Sequence, residues 1–154
     1  MPSPLARLPI DPELSAILSK LPFTPTLTLV DIPRVRKFAS RSLEDVLHGR
    51  PGIEHDERII EGPDGDELKM SVFRPVTALS DSADGGLHSA IYYTHGGGMI
   101  SGTRFLGIME ILYWVTLFKI VCVAVKYRLP PEYPHHPAPA ETNSHLTCAL
   151  TNPS

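Results

Sequence analysis

Ala90-Ile91-Tyr92-Tyr93-Thr94-His95-Gly96-Gly97-Gly98 sets an apolar, β-capable run directly before three consecutive glycines. Side chains would block the close approach of a carbonyl group, and glycine alone freely adopts the positive φ that lets neighbouring N–H groups converge on one point. A turn of this composition at a strand end can hold an oxyanion. The unbroken apolar character of the run before it predicts a strand buried on both faces.

Downstream of the turn, Phe105 to Phe118 is helix-compatible, and Ile120 to Lys126 is a β-branched run closed by Tyr127-Arg128 and the prolines that follow. Strand, crossover and strand in that order place the two strands parallel in one sheet, so an α/β architecture is expected. Upstream, Thr77 to Gly86 reads as a polar surface loop. Ile53 to Glu61 and Glu67 to Phe73 flank Gly62-Pro63-Asp64-Gly65-Asp66, which predicts an antiparallel hairpin ended by Arg74-Pro75. Two helical segments precede it. Asp11 caps the first, with Pro12 at its first position, apolar Leu14, Ile17, Leu18 and Leu21, and Pro22 as its stop. The second runs from about Ile32 to Val46, with Val35, Phe38, Leu43, Val46 and Leu47 as its apolar positions, and Gly49, Pro51 and Gly52 close the region.

The 154 residues, 42% hydrophobic and 20% charged, suit one globular domain. A net charge of -3 with scattered lysines and arginines offers no basic stripe, so a nucleic-acid partner is not expected. Cys122 and Cys148 are the only cysteines, and Cys122 lies inside an apolar run, which predicts a buried thiol and no disulfide framework. Prolines interrupt the N-terminus and leave no apolar signal-peptide region, so a cytoplasmic setting is expected. Leu106 to Val125 approaches the length of a spanning helix. Glu110 and Lys119 would each cost roughly 2.5 to 3.5 kcal/mol near a bilayer centre, and the stretch divides into a helical and a strand part, so membrane insertion is not expected.

Two blocks together resemble one family: Tyr93-Thr94-His95-Gly96-Gly97-Gly98-Met99-Ile100-Ser101-Gly102, and then Tyr127-Arg128-Leu129-Pro130-Pro131-Glu132-Tyr133-Pro134. They are similar to the α/β-hydrolase fold-3 branch, the hormone-sensitive-lipase-like carboxylesterases. The resemblance covers roughly residues 10 to 141 and implies a partial α/β-hydrolase fold. That fold would have a mixed, mostly parallel sheet with N-terminal cap helices, and would be truncated before the nucleophile elbow. It divides the chain into a cap-like helical segment (1–52), the N-terminal half of the core (53–141) and a divergent tail (142–154). Gly97 and Gly98 would donate backbone N–H bonds to a tetrahedral intermediate, His95 and Gly96 would shape the loop, and Arg128 and Glu132 would form a structural charge pair beneath the site. The implied activity is carboxylic ester hydrolysis on a small-molecule ester, with no cofactor or metal.

The chain departs from the family pattern where the nucleophile is concerned. Nothing in it matches G-x-S-x-G. Asp81-Ser82-Ala83-Asp84-Gly85-Gly86 looks like such an elbow, yet it precedes the glycine turn and Ser80 and Asp84 stand at its glycine positions, so no catalytic residue is assigned. Pro130 replaces the family's alanine, and Thr142 follows Glu141 where the family has Asp. His135-His136, and His145 with Cys148, lack metal-ligand spacing. Tyr92, Tyr93, Tyr113 and Trp114 read as packing residues. The alternative function is a non-catalytic fragment or interaction module: in the resembling fold the loss of the next strand would leave Ala90 to Thr94 as an unpaired apolar edge, open to self-association.

Overall fold

The computed structural model describes residues 10–20, 27–62, 64–76 and 89–133. Four strands form one sheet in the order β1-β2-β4-β3, where β1 is Ile53–Glu61, β2 Glu67–Pro75, β3 Ala90–Thr94 and β4 Val121–Val125. The sheet is mixed. β1 and β2 make the expected antiparallel hairpin, registered from Ile53 opposite Pro75 to Glu61 opposite Glu67. β2 also pairs antiparallel with β4, and β3 lies parallel to β4 with Tyr92 opposite Val123. The parallel pair is the one that the strand, crossover and strand reading anticipated.

Alternation along the strands sends one set of side chains to each face of the sheet. Phe73, Cys122 and Ala124 meet Ile108, Leu112 and Val115 of the crossover, together with Val46, Ile53 and Phe105. Met70, Val72, Val123, Val125 and Tyr127 form a second cluster, with Tyr92, Met99 and Leu129 packed against it. Phe73, Ile108, Leu112 and Val115 are fully buried, each stabilising the fold by roughly 1.5–3 kcal/mol. Cys122 is buried and free, and burial pushes its thiol up to about 12, which makes it an inert core residue as expected. Cys148 lies outside the described residues.

Among the described residues there are four short α-helices. α1, Pro12–Leu18, begins as the sequence predicts: the Asp11 carboxylate accepts a 2.8 Å bond from the Glu13 N–H, and Pro12 opens the helix. Its Leu14, Ile17 and Leu18 are exposed. The second predicted helix is in fact two, α2 (Ile32–Phe38) and α3 (Leu43–Leu47). Ser42 causes the break. Its hydroxyl accepts from the Asp45 N–H at 3.0 Å while the Asp45 carboxylate accepts from the Ser42 N–H at 3.1 Å, a capping box that starts a new helix. Val35 and Val46 are buried as expected, whereas Phe38 is exposed.

α4, Met109–Phe118, is shorter than the predicted Phe105 to Phe118 because Gly107 at φ +76° keeps residues 104–108 in turns. Among the described residues no helix is long and apolar enough to cross a membrane. β3 corrects another expectation. Its ends, Ala90 and Thr94, are exposed and its centre is half-buried, because it stands at the margin of the sheet with β4 on one side only. The polar loop 77–86 and the tail 142–154 lie outside the described residues.

Candidate oxyanion-binding turn

The chain leaves β3 at Thr94 and enters three consecutive residues with positive φ: Gly97 at +123°, Gly98 at +62° and Met99 at +62°. The Gly97 carbonyl closes the turn. It accepts from the N–H groups of Ile100 (3.3 Å) and Ser101 (3.1 Å) and from the Ser101 hydroxyl (2.9 Å). The N–H groups of Gly97 and Gly98 donate to no protein group among the described residues. Gly98 is exposed and Gly97 partly so. Unspent amides at a strand end are the arrangement that receives negative charge on an oxygen.

Glycine is required differently at the two positions. A Cβ on Gly97 would lie 2.1 Å from the Ser101 carbonyl oxygen, inside any allowed contact, whereas a Cβ on Gly98 would meet open space. Only backbone strain opposes a side chain at Gly98. Met99 shows that this strain is tolerated next door.

His95 sits beneath the turn, 4% exposed. Its ring stacks on Tyr127 at 4.2 Å between centroids and 6° between planes, and the Tyr127 hydroxyl donates to the His95 carbonyl at 2.6 Å. The Gly96 carbonyl lies 2.8 Å from Nδ1, so Nδ1 carries the proton and donates to it. Burial holds the imidazole below its ordinary value, with the Gly96 contact pulling the other way. His95 is thus a stacked and hydrogen-bonded histidine at the base of the turn.

Arg128 and Glu132 do not pair as expected. Arg128 binds Asp64 at 2.8 Å and also Asp66, both in the hairpin turn, and its guanidinium lies 4.7 Å from the centre of the Tyr133 ring. Glu132 instead takes Arg36 of α2 at 2.7 Å. Residues four apart on an irregular segment do not share a face, and each finds its partner in an element distant in sequence. An open cavity of about 530 Å³ lies between these groups, lined by Arg36, Asp66, Leu68, Lys126 and Tyr133 among others, and reaching Gly102 but not Gly96–Gly98.

The sequence did not reveal a polar cluster under β2. Ser71, fully buried, lies 2.9 Å from His55 Nε2 and accepts a 2.6 Å bond from Arg104 Nε; Arg104 also binds Glu57, which takes Lys69 at 2.9 Å. With Arg104 donating to the same oxygen, the serine hydroxyl donates to a neutral His55. Burial, then the nearby Arg104 charge, keeps that imidazole below its ordinary value. A serine and a histidine in contact suggest a nucleophile, but Ser71 is sealed from solvent and its oxygen is already engaged. Ser101, 4% exposed, spends its hydroxyl on the Gly97 carbonyl. Ser82 lies outside the described residues.

Two predictions follow from this geometry. Gly98→Ala should cost about 1–2 kcal/mol of unfolding free energy, the penalty of left-handed backbone, and Gly97→Ala clearly more, because steric overlap adds to strain; urea denaturation measures both. The second concerns pH. His55 and His95 both fall below the ordinary 6.5, so the folded chain binds fewer protons than the unfolded one. Their contribution to stability is therefore complete above about pH 6.5 and is lost as the pH falls below it. The urea midpoint should drop between about pH 7.5 and about pH 5.5, and His55→Gln, which keeps an acceptor for Ser71, should flatten that drop.

No protein-family model matches the chain, and no curated protein sequence matches it. Solved structures do. A bacterial heroin esterase superimposes with a TM-score of 0.69 at 24% identity, over 94% of this chain and 44% of that one. The Pyrobaculum calidifontis esterase gives 0.67 at 25% identity with the same two coverages. A fungal esterase from Rhizomucor miehei gives 0.65 at 22%, over 95% of this chain and 44% of its own. The chain therefore spans less than half the length of these enzymes, and across that span it has the architecture of the N-terminal part of an α/β-hydrolase fold.

Proposed function

We propose that this chain supplies the oxyanion-binding part of a carboxylic ester hydrolase, with the Gly97 and Gly98 N–H groups as the donors to the acyl oxygen. The observation that carries this reading is the pair of unspent amides in a positive-φ turn at the end of a parallel strand. Attack on an ester carbonyl turns a weakly polar oxygen into an alkoxide. Fixed donors aimed at it lower the barrier, by about 2.7–4 kcal/mol for a single donor in enzymes where one has been removed. Its likeness to esterases in fold supports the same chemistry. The chain holds no G-x-S-x-G, and among the described residues the two buried serines, Ser71 and Ser101, are engaged elsewhere, so the turn is read as the receiving site without the attacker.

Titration of the full chain with propylphosphonate, a tetrahedral oxyanion with a short alkyl tail, tests the reading by amide NMR. Saturable shifts centred on Gly97 and Gly98, with no turnover of p-nitrophenyl butyrate and no labelling by a fluorophosphonate, are expected. Shifts elsewhere, or none, would overturn the assignment; stoichiometric labelling of Ser101 would overturn the absence of a nucleophile.

One observation favours a second reading, an interaction module. The outer edge of β3 carries no strand partner among the described residues, and Met109, Tyr113, Leu117 and Phe118 are exposed on α4. Unpaired N–H and C=O groups along such an edge template pairing with another strand, and a second copy of this chain is the occupant we propose. Sedimentation velocity should then show a concentration-dependent dimer that Ala90→Lys with Thr94→Lys dissociates. A monomer at all concentrations would end this reading.

A further inference from the structure

We infer that Arg36 is the positioning residue of the glycine turn, fastening it to α2 and to the Tyr127–Glu132 segment, with Glu132 as its anchor. The inference deepens the oxyanion reading and rests on it for its catalytic meaning. Arg36 Nε donates to the Ile100 carbonyl at 2.9 Å, and Nη2 to the Pro130 carbonyl at 2.7 Å. Nη1 and Nη2 grip the two Glu132 carboxylate oxygens at 2.7 Å each. Four of the five guanidinium N–H groups are thereby used, toward two stretches of chain, one at Ile100 and the other at Pro130 and Glu132.

Ile100 is the residue at which this grip matters. It directly follows Met99, whose φ of +62° is a conformation that side-chain-bearing residues leave unless their surroundings hold them. The Gly97 carbonyl holds the turn from within, and the Tyr127 hydroxyl holds its entrance at the His95 carbonyl. Arg36 holds its exit. The planar fork is essential to this, because an ammonium cannot bond two carbonyls and a bidentate carboxylate in these directions. Glu132 remains ionised, since Arg36 draws its carboxyl down to about 2, and it neutralises the guanidinium. Arg36 therefore acts on the turn through geometry and not through its charge. Because α2 also buries Ile32 and Val35, a displacement of this helix would be passed to Ile100 and so to the turn.

The test uses the full chain labelled with ¹⁵N, and Arg36→Lys, Arg36→Ala and Glu132→Gln. Glu132 has a half-exposed side chain, so its substitution leaves the core untouched. Expected are moved amide signals for Gly97 to Ile100 in all three, unmoved signals for Val123 and Ala124, and propylphosphonate binding weakened about tenfold or more. Ethylguanidinium added to Arg36→Ala should restore the turn signals, which loss of general stability would not allow. Unmoved turn signals in Glu132→Gln and Arg36→Lys would overturn the inference, as would phosphonate binding equal to that of the parent chain. If the parent binds no phosphonate while the turn signals still move, the oxyanion reading fails and the positioning role stands.

Discussion

The carbonyl oxygen of Gly97 accepts three hydrogen bonds, from the N–H groups of Ile100 and Ser101 and from the Ser101 hydroxyl. That closed set of contacts folds the chain back on itself within five residues and satisfies the turn through its acceptor. Its donors remain. A buried amide without a partner is costly, so amides left unpaired in a native fold stand where solvent or a ligand can reach them. Gly98 is exposed and Gly97 partly so, which fits that requirement. The steric limit at Gly97, where any Cβ would overlap the Ser101 carbonyl, makes this geometry available to glycine alone.

Everything around the turn serves to hold it. β4 fixes β3 in register, so the point at which the chain leaves the sheet is set by backbone pairing from Ala90 to Thr94. His95 is pinned between Tyr127 and the Gly96 carbonyl, and the exit is tied to α2 through Arg36. Further along, Arg104 fastens the chain to Ser71 and Glu57 on the hairpin. These polar ties act across a sheet whose faces are closed by Phe73, Ile108 and Leu112 on one side and Met70 and Val125 on the other. Apolar burial supplies the stability; the hydrogen bonds decide where the glycine turn stands.

What could be read from the sequence was local or periodic. The hairpin announced itself by two β-capable runs around Gly62 to Asp66, α1 by Asp11-Pro12, and the parallel pair by an apolar run, a helix and a β-branched run. The glycine turn was legible because three glycines in a row have few structural uses. The misreadings have physical causes. Ser42 and Asp45 each look like surface residues until their mutual capping is seen, so one helix was expected where two stand. The apolar run by itself predicted a strand buried on both faces, and an apolar strand reads the same whether it lies inside a sheet or at its margin; only the resemblance, through the missing next strand, pointed to the edge where β3 lies. The family resemblance implied that Arg128 and Glu132 form a charge pair. Their true partners, Asp64, Asp66 and Arg36, are separated from them by 62 to 96 positions, a distance that no local pattern encodes. Arg36 itself carries no sequence signal at all.

Among the described residues, no protein group accepts from the N–H groups of Gly97 and Gly98. Amide hydrogen exchange on the ligand-free chain, resolved residue by residue, measures this directly. Gly97 and Gly98 should exchange close to the unprotected rate, while Ile100, Ser101 and the β4 residues Val123 and Ala124 are slowed by their hydrogen bonds. Protection of the two glycines equal to that of β4 would show that their donors are already spent, and would contradict the account.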